Sequence, residues 1–140
     1  MMFKLPLAWL AGVRVKSLNK KSAMVFIKHR WINQNPFQSM FWAAQGMAAE
    51  MSTGVLVMKS IQDSGKKVSM LVTNQKGSFT KKATGRIRFE CHDGDLVKEA
   101  IEQSTTTNEG QIVVLKSEGF DEAGNSVSNW EFEWSLKVRS

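Results

Sequence analysis

The sequence predicts an α+β domain in which one antiparallel β-sheet wraps around a single long central α-helix. The first observation is residues 39–60, a stretch that is almost wholly apolar and contains no proline. A stretch rich in Ala, Met and Leu favours a helix, and a helix that is apolar on all sides is typical of a buried one. The second observation is residues 127–139, where apolar and polar residues alternate strictly from Asn129 onward, as in a long strand with one buried face. A single sheet around one helix is the economical way to combine them.

The central helix is predicted to run through residues 39–60, which would give it a length of about 30 Å. Asn35 and Pro36 precede it as a start signal, and Ser39 is predicted to be its N-cap. An Asp-Ser-Gly sequence at residues 63–65 ends the helical region. A membrane span is not predicted, because polar residues and a carboxylate interrupt the apolar run.

Turn and breaker residues divide the rest of the chain into strands and one short helix. The predicted strands are Arg14–Leu18, 23–30, 66–73, 85–92, Gln111–Phe120 and 127–139, and the short helix is 95–103. The first two strands form a hairpin before the central helix, and the other four are mostly antiparallel. Such a sheet has two open edges and one polar face, so dimerisation is predicted to complete it. Residues 1–140 are interpreted as one domain, with residues 1–13 as an N-terminal lid or short helix.

The composition limits the functions that the chain can have. The single cysteine, Cys91, excludes an internal disulfide and favours a reducing, cytoplasmic location. With two histidines and one cysteine the chain has no recognisable zinc pattern, so no metal site is predicted. The net charge of +6 is spread over single and paired lysines and arginines. Solubility is the first interpretation of this charge, and binding of a phosphorylated ligand is the second. Nucleic-acid binding is the third, because no recognition motif accompanies the charge.

Glu50 is the candidate functional residue of the central helix. It is the only charged residue between Arg30 and Lys59. Small residues share its helical face, among them Gly46 and Gly54, which predicts close approach of another backbone or of a thin ligand. A buried carboxylate needs hydrogen bonds, a proton or a water-filled cleft. A purely structural carboxylate is the alternative, but perturbed carboxylates concentrate at functional sites.

Three segments together resemble a known family. They are residues 10–15 (Leu-Ala-Gly-Val-Arg-Val), the motif Arg30-Trp31-x-Asn33-x-Asn35, and the helix from residue 39 to 54. This combination resembles an uncharacterised branch of the hotdog-fold thioesterase-like proteins over nearly the whole chain. The resemblance implies a hotdog fold, in which the sheet wraps the central helix, and a site that lies between subunits of a homodimer or tetramer.

The resemblance also implies a set of site residues. Asn35, Ser39 and Glu50 match the Asn, the Ser/Thr and the acid of the pattern that opens the helix in hotdog acyl-CoA thioesterases. Gln38 stands where that pattern has its first Gly, and Phe41 and its two successors replace a His-Gly-Gly segment. The predicted catalytic residues are Glu50 and Asn35. The predicted substrate-binding residues are Ser39, Met40, Phe41, Gly46, Lys81 and Lys82.

By this resemblance the reaction is hydrolysis of an acyl thioester, with coenzyme A or an acyl carrier as part of the substrate and no separate cofactor. Glu50 would act as general base or nucleophile, and Asn35 would orient the water or the carbonyl. The N–H of Met40 or Phe41 would hold the oxyanion. Lys81 and Lys82 would meet coenzyme A phosphates. The alternative is a non-catalytic hotdog protein that binds an acyl group or a protein partner. Neither nucleic acid nor a membrane is a predicted partner.

Overall fold

The computed structural model describes residues 6–139, with side chains from residue 7 onward. The helices are α1 (Pro6–Leu10), α2 (Trp42–Ser64) and α3 (Gly94–Thr107), with a 3-10 turn at Trp31–Asn33. The strands are β1 (Arg14–Leu18), β2 (Ala23–Lys28), β3 (Val68–Phe79), β4 (Arg86–Cys91), β5 (Gln111–Phe120) and β6 (Ser126–Val138). Of the predicted lid, residues 1–5 lie outside the described part of the chain.

The six strands form one sheet in the order β1-β2-β4-β5-β6-β3, and every described pairing is antiparallel. Helix α2 packs against one face of this sheet, which confirms the predicted α+β hotdog architecture. The alternation in β6 is also confirmed: Trp130, Phe132, Trp134 and Leu136 are buried, while the residues between them reach solvent in part. Strand β3 is longer than predicted and extends to Phe79 along β6, past an irregularity in register between Val72 and Asn74.

Two features of the central helix differ from the sequence prediction. Helix α2 begins at Trp42 with Phe41 as N-cap, so the prediction that Ser39 caps it was wrong. The reason is that the Ser39 hydroxyl is bonded to the Asn35 amide instead. The helix is also not buried on all sides, because Trp42 and Met58 are more than half exposed. Its outward face is therefore apolar and uncovered in the single chain.

Two glycines of α2 lie against two tryptophans of β6. A Cβ at Gly46 would lie 3.4 Å from the Trp130 ring, and one at Gly54 would lie 3.6 Å from the Trp134 ring. Eight helical residues span about 12 Å and four strand residues about 13 Å, so the two spacings agree. The space beside Gly46, predicted for a backbone or a ligand, is filled by the indole of Trp130. Helix α2 consequently runs alongside β6 in the same direction.

Buried polar side chains join α2 to the sheet. Gln45 Oε1 accepts a hydrogen bond from Ser128 Oγ at 3.0 Å, and the hydroxyls of Ser52 and Ser117 lie 2.7 Å apart. Thr53 Oγ1 accepts a hydrogen bond from the indole N–H of Trp134. Buried polar groups are stable only when they are paired, so these bonds fix the rotation of the helix about its axis.

Candidate functional site

Glu50 lines an open, otherwise apolar cavity of about 400 Å³ on the outward side of α2. We call it the Glu50 cavity. Its other lining residues are Leu7, Ala8, Met47, Met51, Gly54, Val55, Met58, Met70 and Trp134. Helix α1 contributes Leu7 and Ala8. Glu50 is the one ionisable residue among those lining this cavity.

The apolar surroundings change the acidity of Glu50. Glu50 is exposed, but the apolar walls around its carboxyl penalise the charged form, and this desolvation raises the pKa of the carboxyl above the ordinary value of 4.5. Among the residues with described side chains, none forms a salt bridge with it. A carboxylate in this setting holds its proton more tightly than usual and, once ionised, is a stronger base than a solvated one.

A second cavity lies where α2 begins, and we call it the helix-start cavity. It has a volume of about 600 Å³. Five of the predicted site residues and one predicted catalytic residue line it together: Asn35, Ser39, Met40, Phe41, Lys81 and Lys82. The sequence did not single out Phe37, Gln45 and Phe79, which line it as well. Gly46 is absent from the lining of both cavities and packs on the sheet instead.

The loop before α2 is held by the Asn35 side chain. Its Oδ1 accepts hydrogen bonds from the N–H groups of Phe37 and Ser39 at 2.9 and 3.1 Å, and its Nδ2 lies 3.0 Å from Ser39 Oγ. Gln38, in the middle of this loop, has a φ of 60°. That left-handed conformation favours glycine, the residue that the resemblance implies at this position.

The two N–H groups predicted for the oxyanion are both occupied within the fold. The N–H of Met40 donates to the Ala83 carbonyl at 2.8 Å, and that of Phe41 donates to the Asn33 carbonyl at 2.6 Å. The prediction that either of them is a free oxyanion donor is therefore wrong for this structure. Their side chains still line the cavity, because these bonds hold the chain against its wall.

The next two N–H groups replace them as candidate donors. The first turn of a helix leaves N–H groups without intrahelical partners. The N–H groups of Ala44 and Gln45 both donate to the Phe41 carbonyl. Within residues 6–139, the N–H groups of Trp42 and Ala43 have no hydrogen-bond acceptor, and they lie at the positive end of the helix dipole. Trp42 and Ala43 stand where the resemblance places its two glycines.

The two predicted lysines are not equivalent. Lys81 Nζ lies 2.7 Å from Asp121 Oδ2, and this contact lowers the pKa of the Asp121 carboxyl. Among the described side chains, Lys82 has no carboxylate within salt-bridge distance. The charge of Lys81 is thus partly offset by Asp121, whereas no described carboxylate offsets the charge of Lys82.

A single chain keeps Glu50 and Asn35 apart. They line different cavities, and Glu50 follows Trp42 by eight residues of α2, which corresponds to about 12 Å along the axis. Each cavity thus contains only some of the groups predicted for thioester hydrolysis. The carboxylate lies in one, and the helix-start N–H groups, Asn35 and Lys82 lie in the other.

The fold is the hotdog fold, which solved structures share. The chain belongs to the family DUF4442, a domain of unknown function, which matches residues 1–136. Comparison with curated proteins found no match. Within residues 6–139, no helix has the length and apolarity needed to cross a membrane.

Solved structures share the fold at low sequence identity. A Pseudomonas aeruginosa protein of unknown function, called a probable thioesterase, is 22% identical with a TM-score of 0.86, covering 99% of this chain and 91% of its own. A Chlorobaculum tepidum protein of unknown function is 16% identical with a TM-score of 0.84, covering 98% and 89%. A variant of a thioesterase enzyme from Staphylococcus aureus is 10% identical with a TM-score of 0.71, covering 94% and 98%.

Proposed function

We propose that this protein hydrolyses acyl thioesters, with acyl-CoA or an acyl carrier as substrate and Glu50 as the catalytic carboxylate. The observation that carries the proposal is the position of Glu50 as the one ionisable group of an apolar cavity, where the pKa of its carboxyl is raised. An acyl chain needs an apolar cavity, and thioester hydrolysis needs a base next to it. The thioesterases with the same fold support the proposal.

We further propose that the active site is completed between two copies of the chain. Glu50 and the helix-start groups line separate cavities of one chain, so a second copy has to supply one of the two sets. Strand β3 supports this arrangement, because it is a 12-residue edge strand with Leu71 64% exposed. A long edge strand leaves a row of backbone N–H and C=O groups that a second copy of the chain can pair. A homodimer is the proposed unit, and a tetramer would pair two of them.

In the proposed mechanism, Glu50 of one protomer takes a proton from water as that water attacks the thioester carbonyl. The N–H groups of Trp42 and Ala43 of the partner would stabilise the oxyanion, and the second N–H of the Asn35 amide would orient the carbonyl or the water. Collapse of the intermediate breaks the carbon–sulfur bond, and the proton held by Glu50 passes to the leaving thiolate. Attack by the Glu50 carboxylate itself is the nucleophilic alternative.

The test is thiol release from acyl-CoAs of short to long chain, comparing the wild type with Glu50→Gln. Glu99→Gln is the matched control, because Glu99 is an exposed carboxylate on α3 away from both cavities. General-base assistance contributes about 10²–10⁴-fold, so we expect a loss of that size in the first variant and none in the second. Equal loss in both variants, or full activity in Glu50→Gln, would reject Glu50 as the catalytic group.

A non-catalytic role in binding acyl groups is the second candidate. The observation that favours it is the use of the Met40 and Phe41 N–H groups by Ala83 and Asn33. A site with fewer free donors would bind an acyl thioester without polarising its carbonyl. Calorimetry that detects acyl-CoA binding, together with no thiol release for any chain length, would support this candidate and exclude the first.

A further inference from the structure

The charge of the chain is distributed unevenly along the sequence. Residues 1–49 contain seven of the 19 lysines and arginines and none of the 13 aspartates and glutamates. From Glu50 onward, the other 12 cations are offset by all 13 acids. The net charge of +6 therefore comes wholly from the first third of the chain. Such asymmetry indicates an anionic partner for that third.

The same third carries exposed aromatic and aliphatic side chains. Trp31 is 86% exposed, Leu10 52%, Ile32 49% and Trp9 38%. None of the four lines the Glu50 cavity or the helix-start cavity. A single exposed apolar side chain is ordinary, but several that lie close together mark an interaction site.

These four residues lie on segments that hydrogen bonds hold next to one another. Asn33, at the end of the 3-10 turn that carries Trp31 and Ile32, donates from Nδ2 to the carbonyl of Ala11 at 3.0 Å. Two cations lie at the same junction. The Arg30 guanidinium donates to the carbonyl of Leu10 at 3.4 Å. The Arg14 guanidinium stacks 4.7 Å above the Trp9 ring.

We define the N-terminal surface as Trp9, Leu10, Trp31 and Ile32 together with Arg14 and Arg30, and we propose that it docks on an anionic lipid surface. Indole rings and aliphatic side chains enter the headgroup region of a bilayer, and arginines and lysines are attracted to anionic lipids. Residues 1–49 contain no carboxylate, so the segments that carry this surface add no repulsion toward anionic lipid. Nucleic acid fits less well, because Leu10 and Ile32 offer it no polar contact.

This mode of binding requires no transmembrane helix. The sequence predicted no membrane partner on the ground that residues 39–60 do not form a span, and a peripheral contact is a separate property. The inference does not depend on the proposed thioesterase activity, because its residues are distinct from Glu50 and from the helix-start groups.

The test is sedimentation of the full chain with vesicles of phosphatidylcholine alone or mixed with phosphatidylglycerol. We expect binding to the anionic vesicles that weakens with salt, and at least about tenfold weaker binding for Trp31→Ala/Ile32→Ala. The matched control is Ile112→Ala/Val114→Ala. Its residues are 60% and 42% exposed on β5, in the part of the chain where charges balance. This control should bind as the wild type does.

A second measurement needs no variant. Tryptophan fluorescence of the wild type should be quenched by brominated lipids in anionic vesicles and not in neutral ones, since Trp9 and Trp31 would enter the headgroup region. Absence of binding to every vesicle would overturn the proposal. So would equal loss in the control pair, or binding to duplex DNA at the same salt with none to vesicles.

Discussion

The indole N–H of Trp134 donates a hydrogen bond to Thr53 Oγ1 at 3.0 Å. Trp134 also lines the Glu50 cavity, and its ring lies against Gly54. One side chain of β6 therefore forms part of the cavity wall and fixes the rotation of α2 through a buried bond. The position of Glu50 on the outward face of the helix follows from this packing.

Glu50 should make stability depend on pH in a defined direction. Desolvation raises the pKa of the Glu50 carboxyl in the folded state. Its contribution to the free energy of unfolding is therefore fully present below the pKa that this carboxyl has in the unfolded chain, and it is lost as pH rises through the folded-state pKa. Glu50→Gln keeps the neutral form at every pH. We expect the variant to gain stability relative to the wild type between pH 4 and pH 7.5. Urea unfolding at both pH values measures this, and an unchanged difference would show that Glu50 is not desolvated.

Gly46 should be a packing position. Gly46→Leu would press on the Trp130 ring and lower the free energy of unfolding by about 1–3 kcal/mol. Gly46→Ala should stay within about 1 kcal/mol of the wild type, because its Cβ fits and alanine favours helix. If Gly46 instead contacts substrate, Gly46→Ala would change the acyl-CoA affinity without changing stability. Calorimetry measures the affinity, and urea unfolding measures the stability.

Asn33 should be essential to the junction of α1, β2 and α2. Its Oδ1 accepts from the Arg30 N–H, and its Nδ2 donates to the carbonyls of Ala11 and Lys28. Asn33→Ala would leave buried groups unpaired and should cost about 3 kcal/mol. Asn129→Ala, at an exposed position of β6, is the control and should cost less than about 0.5 kcal/mol. Similar costs in urea unfolding would contradict the role given to Asn33.

Gln38 should be strained by its left-handed backbone. Gln38→Gly removes the steric cost of a positive φ and should raise stability by up to about 1 kcal/mol. Gln38→Val should lower it, because a β-branched residue tolerates this conformation least. Thermal unfolding of the two variants gives the comparison, and a lower melting temperature for Gln38→Gly would show that the loop gains nothing from glycine.

The sequence predicted those elements whose signal is local. The alternation in β6 and the apolar run of α2 specify one buried face and one long helix without reference to the rest of the chain. Helix α3 was predicted to end at residue 103 and continues to Thr107. Three threonines there bond their hydroxyls to carbonyls four residues earlier, so their polar groups are satisfied within the helix.

The site was less predictable, because its donors depend on tertiary contacts. The Met40 N–H is occupied by Ala83, a residue 43 positions away in the chain, and no local pattern shows that contact. The Trp42 and Ala43 N–H groups were predictable in principle, since the first turn of any helix leaves such groups free. They were missed because the helix was predicted to begin at Ser39, whereas it begins at Trp42.

The most direct test of the proposed site is subunit complementation. Glu50→Gln and Asn35→Ala are each expected to lose thiol release as homodimers, because each damages both sites. After the two variants are mixed, unfolded and refolded together, half of the dimers are mixed, and each holds one site with Glu50 from one chain and Asn35 from the other. A site shared between subunits predicts recovery of about a quarter of the wild-type activity. A mixture as inactive as its two components would contradict a site shared between subunits.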